Sequence, residues 1–525
     1  MNRLIGTMKN ILIYDTTLRD GAQAEGVSFS LEDKIEILKR FDDFGMNFVE
    51  GGLPTSNPKD AEFFSAVSKM KLKTKLTAFG STRRAESAAE NDLGLKGLAK
   101  CAAEWICIFG KTWDFHVTDA LKVPLETNLE MVEDSIRFLK KSGKNVIFDA
   151  EHFFDGYLNN KEYSLKVLKA AEKGGADWIV LCDTNGGTLP RDISSGVKDA
   201  MKNVKVPIGI HCHNDSDLAV ACSLAAVDSG ATMVQGTING IGERCGNANM
   251  CSIIPNLMLK TKYEVSIKDL TKLTSLSHFV GETANMRIPL NLPYVGESAF
   301  AHKGGMHVSA IKRDSRTYEH VSPDAVGNNR RVLISEMSGR SSISEKMKQL
   351  GIKEEGDIKD ITDMIKELES EGYQFEGADA SFELLIRKSR GTMDHPFEVT
   401  GFRLFIDDVG DKGLISEASI KVMDRFGNIE HTASDGDGPV NALDRALRKA
   451  LSRFYPILND IRLTDYKVRV LDEKAATAAT VRVLIRSTNG TDSWTTVGVS
   501  ENVIEASLLA LVDSIEYAIL KNEGS

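Results

Sequence analysis

From residue 11 to about residue 260 the chain alternates between two textures. Short runs rich in β-branched and aromatic residues are each followed by longer stretches whose apolar positions recur at helical spacing. The runs are Ile11–Leu18, Phe48–Pro54, Lys75–Gly80, Trp105–Lys111, Asn145–Phe153, Trp178–Thr184, Pro207–Asn214 and Met233–Gly240. The periodicity between them predicts helices such as Leu31–Phe44, Leu129–Lys141, Ser164–Lys173 and Leu218–Asp228. Ser30, with Asp33 in the first turn, predicts an N-cap; Gly45, Gly143, Gly174 and Gly230 stand where helices should stop. Strand and helix repeated eight times over about 250 residues is the size and order of a closed parallel (β/α)8 barrel of the TIM type. A doubly wound open sheet is the rival. It usually has fewer strands and a glycine fingerprint after the first, where this chain has T-L-R-D-G.

Past Lys260 the texture changes. Residues 263–392 read as small helical connecting subdomains, with charged stretches such as Lys353–Glu371 and loops around Gly304–Gly305 and Gly327. The expected division is a barrel over 1–262, the connecting region, and an α+β domain over 393–525. That last region contains a repeat at an offset of 63 residues, in which Ile420, Val422, Gly427 and Val440 match Val483, Ile485, Gly490 and Val503. Each copy reads strand, glycine turn, strand and apolar-striped helix, a ββα unit. Two such units leave apolar sheet face exposed unless they pack on each other or on a second subunit. A duplicated packing module and a regulatory, dimerising domain both fit.

Composition narrows the function classes. The 525 residues carry 65 Lys and Arg against 75 Asp and Glu, a net charge of −10. Such a chain is poorly suited to general nucleic-acid or membrane-surface binding, so any positive potential must be local. No apolar run reaches the roughly 18 residues of a membrane helix, and Met1–Asn10 has no secretory apolar core. The seven cysteines are odd in number and never spaced C-x-x-C, which suits a reduced, cytoplasmic protein better than a disulfide framework.

In such a barrel the chemistry sits at the C-terminal ends of the strands. Polar residues at those ends are Arg19, Asp20, Glu50, Asp149, Glu151, Asp183, Thr184, His211, His213, Asn239, Glu243, Arg244 and Asn247. The sharpest local feature is His211-Cys212-His213, whose alternation puts both imidazoles on one side. A lone H-x-H is more often structural than a ligand pair. At a barrel strand end, with Asp20 and the Asn247 amide nearby, it becomes a mixed nitrogen and oxygen set suited to Zn²⁺ or Mn²⁺, with Mg²⁺ possible. Cys182 and Cys212 read as packing thiols. Arg19 beside Asp20 is either a surface ion pair or the group that holds a carboxylate or developing oxyanion. The glycine-rich segment Gly236–Asn249, G-T-I-N-G-I-G-E-R-C-G-N-A-N, suggests backbone folded close around a site.

D-T-T-L-R-D-G at Asp15–Gly21, H-C-H-N-D from His211, and the Gly236–Asn249 segment together resemble the signatures of the isopropylmalate, homocitrate and citramalate synthases. These are metal-dependent barrel enzymes that condense acetyl-CoA with a 2-oxo acid. The resemblance continues through A-F-A-H-K-G-G-M-H (Ala299–His307) and T-V-G-V-S-E-N-V-I-E-A-S (Thr496–Ser507), so it spans nearly the whole chain. The likeness is strongest to the citramalate synthases, whose oxo acid is pyruvate.

By position the resemblance implies that Asp20, His211, His213 and Asn247 hold the metal. It implies that Arg19 contacts the oxo acid and stabilises the alkoxide, and that Glu151 and Thr184 line the oxo-acid pocket. His307 matches a histidine implicated in acid–base work, and Tyr318 a tyrosine lent by the partner subunit of a homodimer. Many relatives have an acidic residue two positions after that histidine; here Ser309 stands there, and His302 is the neighbouring alternative. The C-terminal repeat resembles the domain where a branched-chain amino acid binds, isoleucine if the acceptor is pyruvate and leucine otherwise. Lys303 or Arg83–Arg84 are candidates for local positive charge, and Phe79, Phe109 and Phe153 for narrowing the pocket. The rivals are an isopropylmalate synthase taking 3-methyl-2-oxobutanoate, a lyase or aldolase of the same metal-barrel group, and a non-catalytic sensor. The long region after the barrel argues against the lyase, and the full set of site residues against the sensor.

Overall fold

A computed structural model describes residues 9–286, 288–303, 305–332, 347, 358–375, 378–389, 393–408, 413–471, 479–490 and 492–523. Gly304, residues 353–357 and residues 390–392, at the boundary expected before 393, lie outside the described residues. The chain divides into two compact units, Met1–Phe300 with Val321–Asn329, and Ala301–His320 with Arg330–Ser525.

The first unit is built on eight parallel strands that close into a barrel. They are β1 (Leu12–Asp15), β2 (Phe48–Gly52), β3 (Lys75–Ser81), β4 (Trp105–Lys111), β5 (Asn145–Glu151), β6 (Trp178–Asp183), β7 (Ile208–Cys212) and β8 (Met233–Gly236). Closure is by β1 on β8, with Leu12 opposite Met233 and Asp15 opposite Gly236. Each lies within one of the eight runs read from the sequence or overlaps it closely. The interior is packed by Tyr14, Phe48, Phe79, Cys107, Ile147, Val180, Cys182 and Met233. The outward side chains of the strands join the surrounding helices in a separate core.

The helices follow their local signals. Leu31–Phe44 begins with a capping box in which Ser30 Oγ accepts from the backbone of Asp33 and Asp33 Oδ2 accepts from the backbone of Ser30. It ends at Gly45 in the left-handed region. The helix read as Ser164–Lys173 runs from Lys161 to Gly174, and the left-handed cap falls on Gly175 (φ 96°), one residue beyond the expected stop. Residues after 262 also belong to this unit. Leu273, Leu276 and Val280, an apolar stripe on the helix Leu273–Thr283, are buried in the barrel's outer core.

In the second unit, helices Gly305–Arg313, Ile358–Ser370 and Asp379–Ser389 precede two three-stranded antiparallel sheets. The first is Phe397–Asp408, Leu414–Asp424 and Ile429–Gly436, covered by the helix Pro439–Leu451. The second is Arg462–Val470, Val481–Thr488 and Ser493–Ser500, covered by the helix Val503–Glu523. The strand–turn–strand–helix repeat is present, and each copy carries one more strand in front. The first of these leading strands lacks a clean alternation, since Phe402, Phe405 and Ile406 are all exposed along it. Ile420, Val422, Val483 and Ile485 lie in one core with Leu447 and Leu511 of the two helices, so the two copies pack on each other.

Candidate active site

Arg19 follows β1 and rises from the barrel floor. Its Nε donates to Glu50 Oε1 on β2 across 2.5 Å, and its Nη1 donates to Asp20. Tyr14 donates to the other Glu50 oxygen at 2.5 Å. The Arg19 guanidinium lies 3.8 Å from the centroid of the Phe79 ring. Burial pushes Glu50 up to about 7 against the pull of Arg19, with Asp20 and Asp149 adding to the rise. Burial also acts to raise Asp20, yet the Arg19 guanidinium holds it below its ordinary value.

His211 ends β7 facing inward, as alternation requires, while Cys212 is buried in the outer core. His211 Nδ1 meets Gln235 Oε1 of β8 at 2.8 Å, and Gln235 Nε2 donates to Asp149 of β5 at 3.2 Å. His211 Nε2 stands 3.7 Å from Asp20 Oδ2. His213 lies just past the strand, its ring centroid 5.2 Å from that of His211. Burial, then the neighbouring His211, brings its imidazole down to about 3, so it stands neutral with a lone pair available.

Asn247 comes from the glycine-rich segment and pairs in antiparallel fashion with His213. Its Nδ2 donates to the Ile241 carbonyl at 3.4 Å, which leaves Oδ1 as the free end of the amide. A Cβ on Gly242 would overlap the Asn247 amide nitrogen, and one on Gly246 (φ 86°) would overlap the Gly240 carbonyl. Both positions therefore require glycine for this side chain to reach the mouth.

Asp20 Oδ2, His213 Nδ1 and Asn247 Oδ1 are each buried without a hydrogen-bond partner. Three of the four expected ligands thus present an unsatisfied polar atom, an arrangement that folded proteins avoid unless something completes it. With Arg19 bound to one oxygen of Asp20, no three His, Cys, Asp or Glu groups among the described residues stand at caging distance.

Above this floor is a cavity of about 330 Å³, lined among others by Arg19, Asp149, Glu151, Thr184 and Arg244 and narrowed by Phe79 and Phe109. Glu151 pairs with Lys111 of β4 at 2.5 Å. Thr184 Oγ1 accepts the backbone N–H of His152 at 2.8 Å, so the hydroxyl hydrogen is left to point elsewhere. Arg244 is tied to the rim through Asp215 at 2.7 Å and the Thr184 carbonyl at 2.8 Å.

Other candidates lie apart from this group. Asn239 turns to Ser277, donating to its carbonyl at 2.8 Å and accepting its hydroxyl at 2.5 Å. Asp183 is engaged by the Thr188 hydroxyl at 2.7 Å. Arg83 is not a free cation: its guanidinium serves the carbonyls of Arg84, Ala85 and Ser87 and the Asp134 carboxylate. Phe153 does not narrow the pocket, because it is fully buried in the helical core. Cys182 lines the cavity as well as filling the interior.

In the second unit the His307 ring stacks on Tyr318 of the same chain, centroids 4.0 Å apart. His302 Nε2 is 3.2 Å from Glu319 Oε1, and Glu319 also accepts from Arg330 at 2.5 Å. The carboxylate partner that Ser309 denies to His307 therefore belongs to His302. Gln235 was missed from the sequence. Its signal was a lone amide two residues after Met233, on the inward face of an apolar strand.

The HMGL-like family matches residues 10–280, the homocitrate synthase post-HMGL domain-like family residues 294–373, and the LeuA allosteric (dimerisation) domain residues 376–519. A closed barrel with these groups at its mouth, followed by those two regions in that order, defines the class: the chain belongs to the HMGL-like family, in its citramalate synthase branch. The (R)-citramalate synthase of Aquifex aeolicus is 55% identical over 524 residues, covering 98% of this chain and 99% of that protein. That of Geobacter sulfurreducens is 54% identical over 525 residues, covering 98% and 99%. The 2-isopropylmalate synthase of Methanocaldococcus jannaschii is more distant, 31% identical over 519 residues, covering 98% and 95%.

Proposed function

We propose that the chain condenses acetyl-CoA with pyruvate and hydrolyses the thioester, releasing (R)-citramalate and CoA. The observation that carries this reading is the contrast between 55% identity to a citramalate synthase and 31% to an isopropylmalate synthase over nearly the same length. A cavity narrowed by Leu53, Phe79 and Phe109 supports a small acceptor.

Asp20, His211, His213 and Asn247 would hold a divalent ion, and the unpartnered lone-pair atoms of Asp20, His213 and Asn247 support that assignment. Zn²⁺ and Mn²⁺ suit such a mixed donor set best. Bound there, the ion supplies Lewis-acid polarisation of the keto group.

The chain's own residues do the rest. Arg19, braced from below by Glu50, offers its guanidinium to the acceptor's carboxylate and to the oxygen that becomes the alkoxide. Thr184, fixed as an acceptor toward His152, is free to donate its hydroxyl to the acceptor. Glu151 takes a proton from the acetyl methyl group, with Lys111 in position to balance its charge. The new carbon–carbon bond forms at C2 of pyruvate, and the keto oxygen takes up a proton. Water then adds to the thioester carbonyl, the carbon–sulfur bond breaks, and CoA leaves as its thiol. In this reading His307 assists the acid–base steps and Tyr318 serves the partner subunit's site.

The barrel carries the condensation, residues 263–392 connect, and residues 393–525 regulate and dimerise. The match to an allosteric dimerisation domain supports a homodimer under feedback by isoleucine, the end product expected of a citramalate-forming step. Seven free cysteines support a reduced, cytoplasmic setting.

A thiol-release assay with acetyl-CoA and a panel of 2-oxo acids tests the reaction. Pyruvate is expected to give the highest kcat/KM. Faster turnover of 3-methyl-2-oxobutanoate would favour the isopropylmalate reading, and cleavage of citramalate without condensation the lyase. Titration of isoleucine and leucine into the same assay tests the regulation; indifference to both would reject it.

A further inference from the structure

Asp149, Gln235 and His211 form a chain of hydrogen bonds across the barrel interior from β5 to β8 to β7. All three side chains are buried, Gln235 completely. Donors and acceptors along it can be assigned from one end. The Asp149 carboxylate, facing the Gln235 amide at 3.2 Å, acts only as an acceptor. Gln235 must then turn Nε2 to Asp149 and Oε1 to His211. An amide oxygen 2.8 Å from Nδ1 requires the hydrogen on Nδ1. In the neutral imidazole Nε2 then carries the lone pair, facing the unpartnered Asp20 Oδ2 across 3.7 Å. Two lone-pair atoms so placed repel each other unless a cation lies between them.

We propose that Gln235, anchored by Asp149, is a positioning residue that sets the tautomer of His211 and so makes Nε2 the metal-binding nitrogen. A neutral amide does this without adding another negative charge beside Asp20 and Glu50. The inference rests on the reading of His211 as a metal ligand.

The test uses full-length enzyme labelled with nitrogen-15 at histidine only, and Co²⁺ as the probe ion. In the metal-free wild type, His211 is expected as the Nδ1–H tautomer. Gln235→Leu is expected to lose that preference and to weaken Co²⁺ binding about 10–100-fold, the usual effect of removing a group that orients a ligand. Circular dichroism and the melting temperature identify a variant that has merely unfolded. The exchange Gln235→Glu with Asp149→Asn restores donor and acceptor in the same order, now from an amide at 149 to a carboxylate at 235. It is expected to bring affinity back to within about threefold of wild type, against the 10–100-fold loss.

An Nε2–H tautomer in the wild type, Co²⁺ binding by folded Gln235→Leu within twofold of wild type, or a folded exchange variant that recovers nothing would each overturn the proposal. Failure of the wild type itself to bind Co²⁺ would instead overturn the metal assignment.

Discussion

Tyr14 donates its hydroxyl to Glu50 Oε2 across 2.5 Å, and the opposite oxygen of the same carboxylate accepts from Arg19 Nε at 2.5 Å. One buried acid thus anchors the cation that the proposed reaction depends on. Glu50 is fully buried and Arg19 nearly so, which leaves little water to replace either partner. Glu50→Ala is expected to destabilise the fold by about 3–5 kcal/mol, the usual result of stranding one half of a buried ion pair. Urea unfolding measures it. A loss under about 1 kcal/mol would mean that Asp20 alone supports Arg19.

Asp15 ends β1 and accepts from the Thr17 backbone at 2.8 Å and its hydroxyl at 3.0 Å. Burial pushes its carboxyl from 3.8 up to about 7 despite those bonds. The unfolded chain releases this proton at lower pH than the folded one. The contribution of Asp15 to stability is therefore fullest below the unfolded value and declines as pH rises towards 7. Asp15→Asn removes the dependence. Relative to wild type, the variant is expected to gain about 3 kcal/mol from about pH 5 to about pH 8, read from denaturant midpoints. Parallel stability profiles for the two proteins would refute it.

Asn247→Ala removes the amide oxygen offered to the ion and leaves the fold's strands untouched. Its kcat/KM is expected to fall about 10³-fold, in line with a Lewis-acid contribution of several kcal/mol. Dialysis of wild type against a chelator should do the same, with Mn²⁺ or Zn²⁺ restoring thiol release. Full activity after chelation would remove the ion from the mechanism.

Glu151→Gln keeps the shape of the side chain and removes its basicity. Exchange of the acetyl-CoA methyl hydrogens with heavy water is expected to slow about 10²–10⁴-fold, the range typical of a positioned base. Undiminished exchange would move the role to another group, with His307 and His302 the next to examine.

Gly242→Ala places a methyl group against the Asn247 amide. The expected cost is about 1–3 kcal/mol of stability, as for other forced overpacking. Weaker Co²⁺ binding should accompany it. Tight binding with a normal melting temperature would show that the loop shifts freely.

Much of the site was legible because its signals are local. The inward direction of His211 follows from alternation along β7, and the position of Asp20 after a strand follows from the D-T-T-L-R-D-G run. The capping box at Ser30 needs only residues 30–33. Less legible were residues whose partners come from elsewhere. Arg83 read as a free cation but faces its own loop and Asp134, 51 residues away. The additional leading strand of the first C-terminal repeat was hard to read because Phe402, Phe405 and Ile406 are all exposed along it without a clean two-residue period.

The order of elements, the closed barrel and the members of the proposed metal set could be read from the sequence itself, because strand alternation, caps and strand ends depend on neighbours in the chain. Three pairings were decided only by tertiary structure: Gln235 with His211, 24 residues apart; Gln235 with Asp149, 86 apart; and Asn239 with Ser277, 38 apart. The physical reason is that a buried polar side chain takes whichever partner barrel closure brings within reach, and closure joins stretches that carry no mark of one another in the sequence.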